Sequence, residues 1–230
     1  MQIWANCRAR EFSVAVLAAL HLSYSPETVT WRSPVASSRF REYRDEAFLE
    51  ALGLSPQAAN LRRFWPKGGP VWDGLGIVQL TPSSRAVILV EGKSYPDEVR
   101  GSGCKARRGS NARKLIETSL ADTATALGIC LNSAWLGALY QSANRIAHVH
   151  FLRNRLGVEA YLVNVAFVGD PHRRTSEKEW ASAHSCIRRE LGFGDTPPLW
   201  LADVTLPARQ RSELLEFTSS ERHKTRFTVR

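Results

Sequence analysis

Three ionisable residues stand where two apolar segments end: Asp73 in Trp72-Asp73-Gly74, and Glu91 with Lys93 in Val87-Ile88-Leu89-Val90-Glu91-Gly92-Lys93. Glu91 closes a four-residue apolar run, so it sits where a buried strand leaves the core, a costly position for an uncompensated charge. Two carboxylates brought together there repel each other, and a divalent cation or a basic neighbour such as Lys93 relieves the repulsion. Carboxylate oxygens with room for water are the ligands that Mg²⁺ or Mn²⁺ prefers. Such a cation can bind a phosphate oxygen and activate a water. A cross-strand salt bridge is the plainer reading of the same three residues.

For either chemistry the two segments must pair. Val71–Leu80 and Ala86–Val90 have strand length and β-branched content, and Thr81-Pro82-Ser83-Ser84-Arg85 between them predicts a hairpin turn. Pairing Leu80 with Ala86 sets Asp73 opposite Lys93, with Glu91 as its diagonal neighbour. Alternate side chains share a strand face, so all three point the same way, and a slip of one residue would remove Asp73. Upstream, Pro66-Lys67-Gly68-Gly69-Pro70 continues neither helix nor strand and must be a shaped loop, flanked by Trp65 and Trp72 as core anchors. The spacing of apolar residues predicts a helix over Phe40–Leu52, ended by Gly53. Glu46 on that helix could add a metal-shell oxygen, although a surface residue paired with an arginine, beside Arg41, Arg44 or Asp45, is simpler.

Downstream of Lys93, the stretch Arg100–Lys114 carries Arg100, Lys105, Arg107, Arg108 and Arg113 with no acid among them, as a phosphate-binding loop or helix entrance would. A helical pattern from Ser133 to Arg153 buries Trp135, Leu136, Leu139 and Ile146. It leaves Gln141, Asn144, Arg145 and His148 on the opposite face, either solvated or in contact with nucleic acid or the active site. Ala160–Val168 is almost uninterruptedly apolar, as expected for a strand covered on both sheet faces. Ser176-Glu177-Lys178-Glu179 has capping-box spacing and opens a helix through Leu191, and Pro197–Val204 supplies a last strand.

An aspartate, a strand-length gap and an apolar strand ending in Glu-x-Lys resemble the PD-(D/E)XK, restriction-endonuclease-like nuclease superfamily over roughly residues 40–168. The resemblance implies an α/β fold with an αβββαβ core, a mixed central sheet flanked by helices. It also implies metal-dependent phosphodiester cleavage, with Asp73 and Glu91 holding Mg²⁺ or Mn²⁺ and Lys93 completing the catalytic set. Trp72 stands where the superfamily's first motif often has proline. Gln141 resembles the catalytic glutamine of one branch, whose tyrosine four residues later is Arg145 here. Trp65-Pro66, Gly69-Pro70-x-Trp72-Asp73 and Tyr140–Arg145 resemble a bacterial branch of this kind that brings no known substrate.

Composition bounds these readings. The 230 residues are 43% hydrophobic and 23% charged, a globular balance, and 31 Lys+Arg against 22 Asp+Glu give a net charge of +9, which favours a polyanionic partner. The expected partition is an N-terminal extension over 1–36, a nuclease-like domain over 37–205 and a basic tail over 206–230. The expected partner is nucleic acid, DNA first, with a homodimer as an open arrangement and a catalytically silent nucleic-acid-binding module as the competing function. The apolar run Phe12–Leu20 is too short to span a bilayer, and Cys7, Cys104, Cys130 and Cys186 lack disulfide or zinc spacing; a cytoplasmic protein without membrane association is expected. No GxxxxGK[ST] or GxGxxG motif supports nucleotide binding.

Overall fold

The computed structural model describes residues 1–82, 84–194 and 196–227, with side chains described as far as residue 220. The elements are α1 (Gln2–Asn6), α2 (Ala9–Ala19), β1 (Val29–Ser33), α3 (Glu46–Ala51), α4 (Ala58–Phe64), β2 (Gly74–Thr81) and β3 (Ser84–Lys93). They continue with α5 (Asn111–Ala126), α6 (Tyr140–His150), β4 (Glu159–Val168), α7 (Glu177–Leu191), β5 (Leu201–Pro207) and α8 (Arg211–Phe227). The protein is α/β. Its strands form one open mixed sheet in the order β1-β2-β3-β4-β5. The first three are antiparallel neighbours; β3, β4 and β5 run parallel, joined by crossovers through α5–α6 and α7.

β3 reads as an apolar run because both sheet faces are covered. On one face Leu75, Val87, Leu89 and Leu162 pack with Phe48, Leu61 and Phe64 of α3–α4, and with Leu120 and Ile146 of α5–α6. On the other, Val78, Ile88, Val90 and Val163 pack with Trp4, Phe12 and Val16 of α1–α2 and with Trp31 of β1. Residues 1–36 thus contribute two helices and an edge strand, and the run Phe12–Leu20 buries Phe12, Val16, Leu17 and Leu20 against the sheet. Among the described residues no helix is long and apolar enough to cross a membrane.

Several elements differ from the sequence reading. The helix expected from Phe40 begins only at Glu46, because Phe40 and Asp45 adopt positive φ (58° and 51°), which a right-handed helix excludes. The helix expected over Ser133–Arg153 is divided. A 3₁₀ turn at Ser133–Trp135 precedes α6, and α6 runs on into a π turn at Phe151–Arg155. The last strand starts at Leu201, beyond Pro197 and Pro198, whose nitrogens cannot donate to a ladder. The capping box opening α7 forms as its spacing predicts: Glu179 N–H donates to Ser176 Oγ at 3.3 Å, and Ser176 N–H to Glu179 Oε2 at 2.7 Å.

Candidate active site

The β2–β3 hairpin pairs Gly74 with Val90, Leu75 with Leu89 and Val78 with Ala86, and closes at Thr81 opposite Ser84. The expected Leu80–Ala86 pairing is therefore corrected. The turn is tighter than the Pro-Ser-Ser-Arg composition suggested, a bulge lies between Gln79 and Thr81, and together they move the register by two residues. A two-residue shift preserves the face. Continued one step past Gly74, the register sets Asp73 opposite Glu91 instead of Lys93. Leu75 and Leu89 share the helix-covered core, and Glu91 and Lys93 border one cavity beyond it, whereas Asp73, in a bend outside β2, borders a separate groove with Met1, Glu42, Gly92 and Phe167.

Asp73 lies just outside β2, where the backbone ladder has ended, and its carboxylate replaces the missing rung: Gly92 N–H donates to Asp73 Oδ2 at 2.9 Å. Among the described residues Oδ1 carries no hydrogen bond. Glu91 is buried and has a cation on each oxygen, Lys93 Nζ at 2.7 Å from Oε1 and an Arg145 guanidinium nitrogen at 2.5 Å from Oε2. Burial pushes the Glu91 carboxyl up to about 7; Arg145 and Lys93 pull it down, and the Asp73 charge adds to the rise.

Arg145 corrects the expectation of a nucleic-acid contact. It is buried, donates to the carbonyls of Gln141 (3.1 Å) and Val71 (3.3 Å), and lies 5.9 Å from the Trp72 ring centre. A buried carboxylate demands a buried cation, and one turn along α6 from Gln141 is where the helix supplies it. Asn144 and His148 are likewise buried rather than solvated. His148 Nδ1–H donates to the Asn144 carbonyl at 2.8 Å, and the ring packs among Phe48, Phe64, Trp65 and Trp72. Burial lowers its pKa to about 4.

Gln141 is exposed, and with Glu91, Lys93, Asn164 and Asp203 it borders a cavity of about 50 Å³, room for a few waters or one hydrated ion. Asn164 is opposite Glu91 on β4, and Asp203 is opposite Asn164 on β5. Asn164 donates to Asp203 Oδ1 at 2.9 Å; the other Asp203 oxygen meets Arg188, with His184 Nδ1 at 3.4 Å. This polar row across three strands went unnoticed in the sequence, where the one signal was an asparagine inside the apolar run Ala160–Val168.

The basic stretch divides. Arg100 is committed to Glu190 (2.5 Å) and Arg113 to Glu117 (2.6 Å), whereas Lys105, Arg107 and Arg108 are exposed and form no ion pair among the described residues. Glu46 pairs with an arginine, but with Arg62 of α4 and not with the neighbouring Arg41 or Arg44. Among the described residues no three His, Cys, Asp or Glu side chains cluster to hold a metal. Asp73 and Glu91 supply carboxylate oxygens of the chemistry that magnesium takes with waters and phosphate oxygens, and among the described residues Asp73 Oδ1 carries no hydrogen bond; a cation would compete with Lys93 and Arg145 for Glu91, and with the Met1 ammonium for Asp73.

Compared with protein-family models, curated proteins and solved structures, the chain matches none. Function must therefore be argued from the site itself.

Proposed function

We propose that the protein is a metal-dependent phosphodiesterase acting on nucleic acid, with a restriction-endonuclease-like core and Asp73, Glu91 and Lys93 as its reacting set. The observation that carries this reading is the hairpin register. It ends with Gly74 opposite Val90, so Asp73 and Glu91 flank the last pair; the Asp73 charge acts on Glu91, and Lys93 Nζ is 2.7 Å from the Glu91 carboxylate. Asp73 and Glu91 would hold Mg²⁺ or Mn²⁺, which when bound supplies charge neutralisation at phosphate and a water of lowered pKa. Lys93 would orient the attacking water and stabilise charge developing on the phosphate. Gln141, on the rim of the same cavity, would hold the water or a phosphate oxygen by its amide. DNA is the first substrate to test, given the net charge of +9.

One observation favours a second reading, a nucleic-acid-binding module of the same fold without turnover. Lys93 and Arg145 neutralise Glu91 within the protein, so the site is balanced before any cation arrives. Assays on supercoiled, linear and single-stranded DNA with Mg²⁺, Mn²⁺ or EDTA separate the two. The phosphodiesterase reading expects metal-dependent cleavage that Lys93→Ala abolishes while DNA binding persists. Binding without cleavage by the wild type under every metal condition would leave the second reading standing.

A further inference from the structure

A wider groove of about 520 Å³ lies between residues 65–68 and residues 101–106. The charged side chains lining it, Lys67 and Lys105, are both cations; both are exposed, and neither forms an ion pair among the described residues. Among the described residues no carboxylate borders it. Its floor is apolar and aromatic where Trp65, Ile116 and Tyr140 approach.

Both walls are tied down. The Asp45 carboxylate accepts from Gly68 N–H at 3.1 Å and Gly69 N–H at 2.8 Å, which fixes the turn presenting Lys67. Opposite, Gly101 N–H donates to the Ala138 carbonyl and Cys104 N–H to the Leu136 carbonyl, both at 2.9 Å. Gly103 has φ +82°, and a Cβ there would lie 2.8 Å from the Leu136 oxygen, so this wall sits as close to its support as glycine allows. Gln141 borders this groove and the Glu91–Lys93 cavity alike, so the two adjoin at one side chain.

We infer that the groove takes the sugar-phosphate backbone of an unpaired polynucleotide strand, next to the phosphodiester presented to Lys93. This assignment rests on the phosphodiesterase reading of the site for its polarity, though not for binding itself. Two lysines without ion pairs among the described residues, with Glu46 in electrostatic reach of Lys67 but lining the neighbouring cavity and not the groove, select phosphate. The volume is that of a site for one small-molecule-sized unit, such as a single nucleotide, with a fixed concave outline and an aromatic floor. A rigid duplex presents a broad convex surface and needs an open one to meet it. The exposed Arg107 and Arg108 follow Lys105 along the chain and extend the positive track.

The test is binding in EDTA, where no turnover is required. Fluorescence anisotropy with a labelled oligothymidylate and a blunt duplex of equal length is measured over a salt series for wild type, Lys67→Ala/Lys105→Ala and the distant control Arg10→Ala. Wild type should hold the strand more tightly than the duplex. The double variant should lower the magnitude of the log–log salt slope by about 1.4, at ~0.7 per lost single-strand phosphate contact, and Arg10→Ala should leave it unchanged. An unaltered slope in the double variant, or tighter binding of the duplex by wild type, would overturn the inference. The two readings fail separately. Loss of strand binding in the double variant with no hydrolysis by wild type in Mg²⁺ keeps the groove and removes the enzyme, whereas hydrolysis by wild type with normal binding by the double variant does the reverse.

Discussion

Lowering the pH from 7 to 5 should destabilise the protein through His148. The ring is enclosed by four aromatic side chains and donates from Nδ1, so a second proton would have to be buried at Nε2, facing Gly69. Asp45 favours that proton and Arg145 opposes it, but burial dominates and holds the folded pKa at about 4 against an ordinary 6.5. Because the folded value is depressed, the unfolded chain binds more protons between the two. The contribution is therefore fully present above pH 6.5 and is lost as pH falls towards 4. The whole gap is worth about 3 kcal/mol, of which about 2 kcal/mol is lost between pH 7 and pH 5. For a chain of this length that is roughly 4–8 °C in Tm.

Glu91, with its raised pKa, contributes the opposite slope, so the readout is the difference between wild type and His148→Leu in Tm against pH. The variant should start lower and fall less steeply. Parallel curves would refute the reasoning. If the variant does not fold, an NMR titration of the wild-type imidazole serves instead, and a midpoint near 6 would refute it equally.

Melting should also report the metal. Wild type should gain stability with Mg²⁺ or Mn²⁺ by ligand linkage and Asp73→Asn should gain much less, whereas equal shifts in both would remove Asp73 from the metal site. Gly103→Ala should cost ~1–2 kcal/mol or more, since φ +82° is a left-handed conformation and the added Cβ would meet the Leu136 oxygen. Denaturant midpoints check this, and a neutral result would show that the wall can relax.

What could be read in the sequence was local. The apolar run before Glu91, the capping box at Ser176 and the punctuated Pro66–Pro70 loop each declare themselves within a few residues, and each is found. The two-residue register error came from composition. Five turn-like residues suggested a wide loop, whereas the hairpin closes at Thr81 and Ser84 with a bulge between Gln79 and Thr81 that no composition announces. That Arg145 and His148 are buried, and neither solvated nor open to nucleic acid, escaped the sequence for a deeper reason. Helical periodicity shows that a helix has two faces, but it cannot reveal that the polar one covers a buried carboxylate on another element. The Asn164–Asp203 row depends on parallel pairing between distant strands, which no local pattern carries.

The ends of the fold close on each other. Trp4 Nε1–H donates to the Pro207 carbonyl at 3.3 Å, and Arg8 pairs with Glu213 at 3.0 Å. During synthesis the ribosome therefore releases α1 and α2 long before their last partners exist. Phe12 and Val16 can settle on β2 and β3, but the strip that will meet β5 and α8 must wait for some two hundred more residues. Contacts of such sequence separation form late and slow a chain's final collapse. A nascent chain stalled short of residue 207 would hold a nearly complete motif hairpin on a sheet still open at one edge.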